Sequence, residues 1–171
     1  MFKVLDGVGC PGASASADPW VPLSVLWQIS LRGGPLYCYV TGDDGGHVEL
    51  KVDPDSGALC ALIVIDLPPL VDRAIDEARI EPGSLSPKFD LELWEWKTTP
   101  DYKEPAKYDI DKVEALARST SGEFFVLWFA HCSVDRYLEC GEARVGVSGD
   151  GELVNIVVRQ PPVIRPQLIN R

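Results

Sequence analysis

Two stretches of this 171-residue chain constrain its fold more than any other feature. In "VELKVDPDSGALCALIVID" (48–66), Leu50 and Val52 alternate with Glu49, Lys51 and Asp53, as in a strand with one buried face. "DPDSG" then turns the chain: Pro54 presets φ, Asp55 and Ser56 bond locally, and Gly57 accepts positive φ. "ALCALIVID" is apolar on both faces, which marks a central strand, and Pro68-Pro69 stops it. Nearer the C-terminal end, "RVGVSGDGELVNIVV" (144–158) follows the same grammar. Counting from Gly57 and Gly151, leucine stands at +2 (Leu59, Leu153), and a bulky aliphatic at +5 (Leu62, Ile156) and +7 (Val64, Val158). Pro161-Pro162 closes the second copy as Pro68-Pro69 closes the first. Duplication of a hairpin unit and convergence on restrictive hairpin chemistry both account for the match.

Other strands read from apolar runs. "PLSVLWQISLRGG" (22–34) and "PLYCYVTGDDGG" (35–46) look like a hairpin joined at Gly33-Gly34, with a further turn at Asp43 to Gly46. "KFDLELWEWK" (88–97) alternates, with Phe89, Leu91 and Leu93 on one face and Trp94 and Trp96 on the other. "GEFFVLWFAHC" (122–132) reads as a central strand, and "RYLECG" (136–141) as another. Two segments carry helical spacing. "LVDRAIDEARI" (70–80) lines up Val71, Ala74, Ile75 and Ala78 on one stripe. "DIDKVEALARS" (109–119) offers Asp109 as a cap, with Ile110, Val113 and Leu116 facing inward. The expected fold class is therefore α+β: a mainly antiparallel sheet of seven to nine strands with two short helices. We expect a single domain over 1–171, with an irregular N-terminal segment (1–20) and a proline-rich basic tail (159–171).

Charge narrows the function classes. With 26 acidic and 16 basic residues the net charge is −10. No acid follows Glu152, whereas Arg159, Arg165 and Arg171 do, so residues 1–152 carry −13 and the tail +3. Such a surface repels nucleic acid and anionic membrane and steers basic partners inward. No apolar run approaches the roughly 20 residues of a membrane helix. At the N-terminus Asp6 interrupts the apolar run after Val4 and Leu5, which is too short for a secretory signal, and Gly7 stands where a lipoprotein site around Cys10 would need leucine. Five cysteines (10, 38, 60, 132 and 140), an odd number without a Cys-x-x-Cys pair, fit buried thiols in a reducing compartment. We expect a cytoplasmic protein.

No catalytic, cofactor or metal residue is assigned. The chain has two histidines, His47 and His131. His131 and Cys132 are neighbours in a strand and point to opposite faces, so they cannot act on each other, which leaves only a pairing of Cys132 with His47 across the fold. "GVGCPG" (7–12) resembles a dinucleotide loop, but proline follows the cysteine and no helix pattern opens after it. "DPDSG" begins like a calcium loop, yet its twelfth position is Val64 rather than glutamate. Asp72 and Asp76 lie one helical turn apart, but Arg73 lies four residues before Glu77 and Arg79 three after Asp76, so ordinary pairing on a helix surface accounts for them.

Binding is what remains. Asp43, Asp44, Asp53 and Asp55 sit in two turns of the segment 41–56 that flank a single strand, so they belong at its opposite ends. Glu92, Trp94, Glu95 and Trp96 set tryptophan among carboxylates, a composition suited to arginine- or lysine-rich surfaces because aromatics anchor and rim charges steer. The competing view puts Trp94 and Trp96 in the core. An acidic single domain with hairpins of the "VELKVDPDSGALCALIVIDLPP" kind resembles the immunity proteins of bacterial polymorphic and contact-dependent toxin systems, over residues 35–69 and 122–162. The resemblance implies a basic protein partner, a toxin domain whose active site is blocked, with acidic segments mimicking phosphates. It carries over no residue by position. Two alternatives stand beside it: a small-molecule-binding protein or small enzyme with a pocket between sheet and helices, and a structural homo-oligomeric β-protein using the basic tail.

Overall fold

The computed structural model describes residues 2–94 and 108–160. They form β1 (Val4–Gly9), β2 (Ala13–Ser16), β3 (Leu23–Trp27), β4 (Leu36–Gly42), β5 (His47–Val52), β6 (Leu59–Asp66), β7 (Arg79–Ile80), β8 (Leu85–Phe89), β9 (Asp109–Glu114), β10 (Ala117–Ser121), β11 (Phe124–Trp128), β12 (Arg136–Cys140), β13 (Ala143–Val147) and β14 (Leu153–Arg159). A first sheet has the order β2-β3-β6-β5-β4-β9, a second β10-β11-β14-β13-β12-β7, and β1-β8 is a two-stranded ribbon. One 3-10 turn, Leu91–Leu93, is the only helical element among the described residues. The α+β expectation is overturned: the described chain is almost wholly β.

The two sheets repeat each other strand for strand. In each, three hairpin-linked strands are followed in space by an earlier one, a Greek key (β3-β6-β5-β4 and β11-β14-β13-β12). Registers match as well. Leu62 pairs with Leu50 and Val25, and its counterpart Ile156 pairs with Val145 and Leu127. Even the β-bulge recurs, between Lys51 and Val52 and between Gly146 and Val147. The ribbon joins the repeats: the Phe89 amide donates to the Gly57 carbonyl, the Val4 amide donates to the Gly151 carbonyl, and Val4 pairs with Phe89. Both turn glycines have positive φ, +79° and +83°. Two units, β1–β6 and β8 with β10–β14, are thus related by a pseudo-twofold, and the hairpin match seen in the sequence is one part of it. The N-terminal segment, expected to be irregular, supplies β1 and β2 because each unit uses both strands.

One core lies between the sheets. Val25, Cys38, Leu50 and Leu62 of the first sheet and Leu127, Leu138, Val145 and Ile156 of the second belong to the same buried cluster. Each buried aliphatic side chain contributes about 1.5–3 kcal/mol relative to exposure.

Both expected helices are replaced, and for identifiable reasons. Residues 71–78 run without regular structure across the outer face of the second sheet, where Ile75 and Ala78 pack against Val126, Trp128, Val154 and Val157. Pro68-Pro69 delivers the chain extended: the Arg118 amide donates to Pro69 and the Val71 amide to Arg118. The Arg73 guanidinium stacks 3.6 Å from the Trp128 ring and donates to the carbonyls of Ala130, His131 and Cys132 at 2.7, 3.3 and 2.9 Å. Asp76 accepts from the Val134 amide and, through its carbonyl, from the Tyr137 hydroxyl. An isolated helix of 11 residues is marginal, and these tertiary bonds outweigh it. Residues 109–119 become β9 and the start of β10, because β4 offers a parallel ladder to pair with and Ile110 packs against the core. The anticipated pocket between sheet and helices therefore has no helices to form it.

Two strand expectations change. Gly33-Gly34 does not close a hairpin: β3 pairs with β2 and β6, β4 with β5 and β9. The strand at 88–97 ends at Phe89, where Asp90 caps the 3-10 turn by accepting from the Glu92 amide at 3.0 Å, a local bond that competes with a ladder.

Candidate protein-docking face

Where the repeats differ is where a site can be sought. The outer face of the second sheet is covered by the strap at 71–78. Among the described residues, nothing covers the same face of the first sheet. Its rows follow from pairing: Tyr39 lies between Glu49 on β5 and Asp111 on β9, and Tyr37 between Lys51 and Asp109. Alternation turns Cys38 and Val40 into the core and Tyr37, Tyr39 and Thr41 outward.

An ordered aromatic stack results. The Tyr37 and Tyr39 rings lie 6.2 Å apart at 12°, and Tyr39 and His47 lie 6.3 Å apart at 8°. The Lys51 ammonium sits 5.7 Å from the Tyr37 ring and 3.8 Å from Glu49. Thr41 Oγ1 stands 3.4 Å from His47 Nδ1. Exposed apolar side chains extend the face: Leu26 and Ile65 on one side, and Val113, 71% exposed, on the other. Carboxylates rim it, with Asp109 and Asp111 exposed along β9 and Asp66 paired with His47 at the end of β6. The Tyr39 hydroxyl has its pKa raised, by its partial desolvation first and then by Glu49, Asp109, Tyr37 and Asp111. Glu49, Asp109 and Asp111 thus lie around the stack, with Lys51 as the cation beside Tyr37.

The residues singled out in the sequence are dispersed. Asp43 and Asp44 are exposed in the β4–β5 turn at one end of this face, and the Asp43 amide donates to the Glu114 carbonyl beside β9. Asp55 is exposed in the turn at the other end of β5. Asp53 is buried and used by its own turn, accepting from Ser56 Oγ at 2.6 Å and from the Asp55 and Ser56 amides. Trp94 is core: 1% exposed, it donates from Nε1 to the Tyr37 carbonyl at 3.0 Å. Glu92 is exposed on the 3-10 turn, and Glu95 and Trp96 lie outside the described residues. Sequence reasoning missed Tyr37, Tyr39, Asp109 and Asp111. The "YCY" alternation was a signal for the first pair, whereas the second pair was read as the start of a helix.

His47 and Cys132 do not meet. His47 stacks on Tyr39 on the first sheet, while Cys132 Sγ lies 3.5 Å from Glu152 Oε2. Desolvation and then Glu152 raise the Cys132 pKa, which opposes thiolate formation. A shallow cleft of about 350 Å³ is lined by Glu139, Glu142, Arg144 and Arg159, whose arginines already pair with Glu139 and Glu123 at 3.1 and 3.4 Å. Among the described residues, no helix is long and apolar enough to cross a membrane. Compared with protein-family models and with curated proteins, the sequence matches none.

Proposed function

We propose that this chain is an acidic binding protein that captures and neutralises a basic protein partner, as an immunity protein blocks its toxin. The outer face of the first sheet is its docking surface. One observation supports this: of two sheets built alike, one has its outer face under a strap, whereas among the described residues no segment crosses the half-exposed tyrosine stack on the other, which carboxylates edge. Tyrosine anchors are rigid and amphipathic, and they are enriched at interface centres. The net charge of −10 speeds encounter with a cationic surface, and salt weakens that steering as the screening length falls from about 10 Å at 0.1 M to about 3 Å at 1 M. The proposal includes a cytoplasmic home, in keeping with five cysteines that all stand as thiols.

The test purifies the products of the genes adjacent to this one and titrates each against it by surface plasmon resonance at rising ionic strength. We expect an association rate that falls at least tenfold between 0.05 and 0.5 M salt, and binding weakened at least tenfold by Tyr39→Ala. No binding, or binding indifferent to Tyr39→Ala and to Asp111→Lys, overturns the proposal.

A further inference from the structure

Sheet edges expose unpaired main-chain donors and acceptors, so folded proteins cover, shorten or charge them. Of the four edges of the two six-stranded sheets, three are covered or cut short by the described chain, and the fourth, β9, is charged instead, with Asp109, Asp111, Lys112 and Glu114 among its six residues. On β2 the Ala15 amide donates to Glu142 Oε2 at 2.8 Å, and the Ala13 carbonyl accepts from the Glu142 amide at 3.1 Å. On β10 the strap at 69–71 makes two backbone bonds to Arg118. β7 is two residues long and hemmed by ion pairs of Arg79 with Glu81 and Asp135.

The fourth, β9, is six residues long, and among the described residues no strand lies on its far side. Its parallel ladder fixes which groups point away. The Tyr37 amide donates to the Tyr108 carbonyl, and the Asp43 amide to the Glu114 carbonyl. With the two-residue alternation of a parallel pair, the even residues of β9 bond to β4, and residues 109, 111 and 113 direct their backbone amides and carbonyls outward. The side chains of those same residues stand on the tyrosine face.

We propose that β9 is an acceptor edge, which a basic strand of the partner extends by β-augmentation. This rests on the docking-face reading and deepens it. An added strand places its own side chains beside Asp109, Asp111 and Val113, so the geometry asks for an extended segment with lysine or arginine at two alternate positions and an apolar residue at the third. A second copy of this chain fits badly, because β9 against β9 brings Asp109 and Asp111 of two acidic molecules together.

The probe is a synthetic nonapeptide, Lys-Thr-Arg-Thr-Val-Thr-Arg-Thr-Lys, which presents two basic residues and then an apolar one on one face in either strand direction, with a form N-methylated at alternate residues and an acidic form carrying glutamate at the basic positions. Titration is followed by residue-resolved amide exchange. In the uncomplexed protein the amides of 109, 111 and 113 should exchange quickly and those of 110 and 112 slowly. The basic peptide should slow the odd amides at least tenfold. The N-methylated and acidic forms should bind at least tenfold more weakly, and Val113→Pro, which removes an outward amide without touching the β4 ladder, should have the same effect. Asp111→Lys should shift preference toward the acidic form. Odd amides already protected in the dilute monomer show the edge occupied by another segment of this chain, and protection that grows with protein concentration shows a second copy; either overturns the proposal. Absence of peptide binding at millimolar concentration also overturns it. If the natural partner is lost with Tyr39→Ala but unaffected by Val113→Pro, the edge proposal fails while the docking face stands.

Discussion

Arg73 is the fastener that makes residues 71–78 a strap, and removing it tests why that segment is not a helix. Its guanidinium lies 3.6 Å from the Trp128 ring and bonds three consecutive carbonyls, those of residues 130–132. A desolvated cation–π contact contributes up to about 2 kcal/mol. Hydrogen bonds to a charged donor contribute about 1.5–3 kcal/mol each, but His131 is exposed, so water replaces part of what Arg73→Ala removes. The two effects together give an expected loss of about 3 kcal/mol. Arg73→Lys keeps the charge but cannot span three carbonyls in one plane, so about half that loss should remain. Urea unfolding followed by circular dichroism measures both variants, and amide exchange at Val71 and Val134, whose amides are tied to Arg118 and Asp76, separates strap release from global unfolding. If Arg73→Ala and Arg73→Lys both unfold within 0.5 kcal/mol of the parent, a tolerance of the order of surface-substitution effects, the strap is held by something else and the explanation fails.

Other consequences can be checked with the same assays. Gly57→Ala forces a side chain into φ +79° with its Cβ 2.7 Å from the Phe89 carbonyl oxygen, so urea melts should show a loss of at least about 2 kcal/mol. At Gly149, where a Cβ meets nothing within 4 Å, alanine should leave stability within about 0.5 kcal/mol. Trp94→Phe removes the bond to the Tyr37 carbonyl and should cost about 1–2 kcal/mol in the same melts, acting on stability because Trp94 is buried. Burial raises Cys38 and Cys60 from 9.0 to about 12. Their folded-state protons are held more tightly than in the unfolded chain, so stability should be level below pH 9 and fall as pH rises from 9 toward 12, by up to about 1.4 kcal/mol per unit for each thiol. A pH series of melts on the parent and on Cys38→Ala, which should lessen the slope by up to about 1.4 kcal/mol per unit and leave the Cys60 share, measures this. Near pH 8, Cys132 should be labelled by a thiol reagent before Cys38 and Cys60, since it alone of the three is half-buried.

Legibility tracked the range of the interactions. The hairpins at 47–66 and 143–159 could be read because turn chemistry and alternation are local: Asp53, Ser56 and Gly57 settle the turn among themselves. The aromatic face was half legible. Tyr37 and Tyr39 alternate with core residues in plain view, but nothing within 35–46 announces that Asp109 and Asp111, about seventy residues later, will lie beside them. The pull of Trp94 and Trp96 toward a surface role came from composition, and for Trp94 packing into the main core, with Nε1 satisfied by the Tyr37 carbonyl, reverses it.

Acting alone, the amino-acid order determined the two hairpins at 48–66 and 144–158, their matching turns and the surplus of negative charge, since each depends on neighbours within a few positions or on a sum. Tertiary structure decided the rest: that 71–78 is a strap, that 109–114 is a strand beside β4, and which sheet face the described strap covers. Those segments have weak local preferences, and distant partners such as Trp128, the carbonyls of 130–132 and the ladder of β4 supply the energy that selects among them.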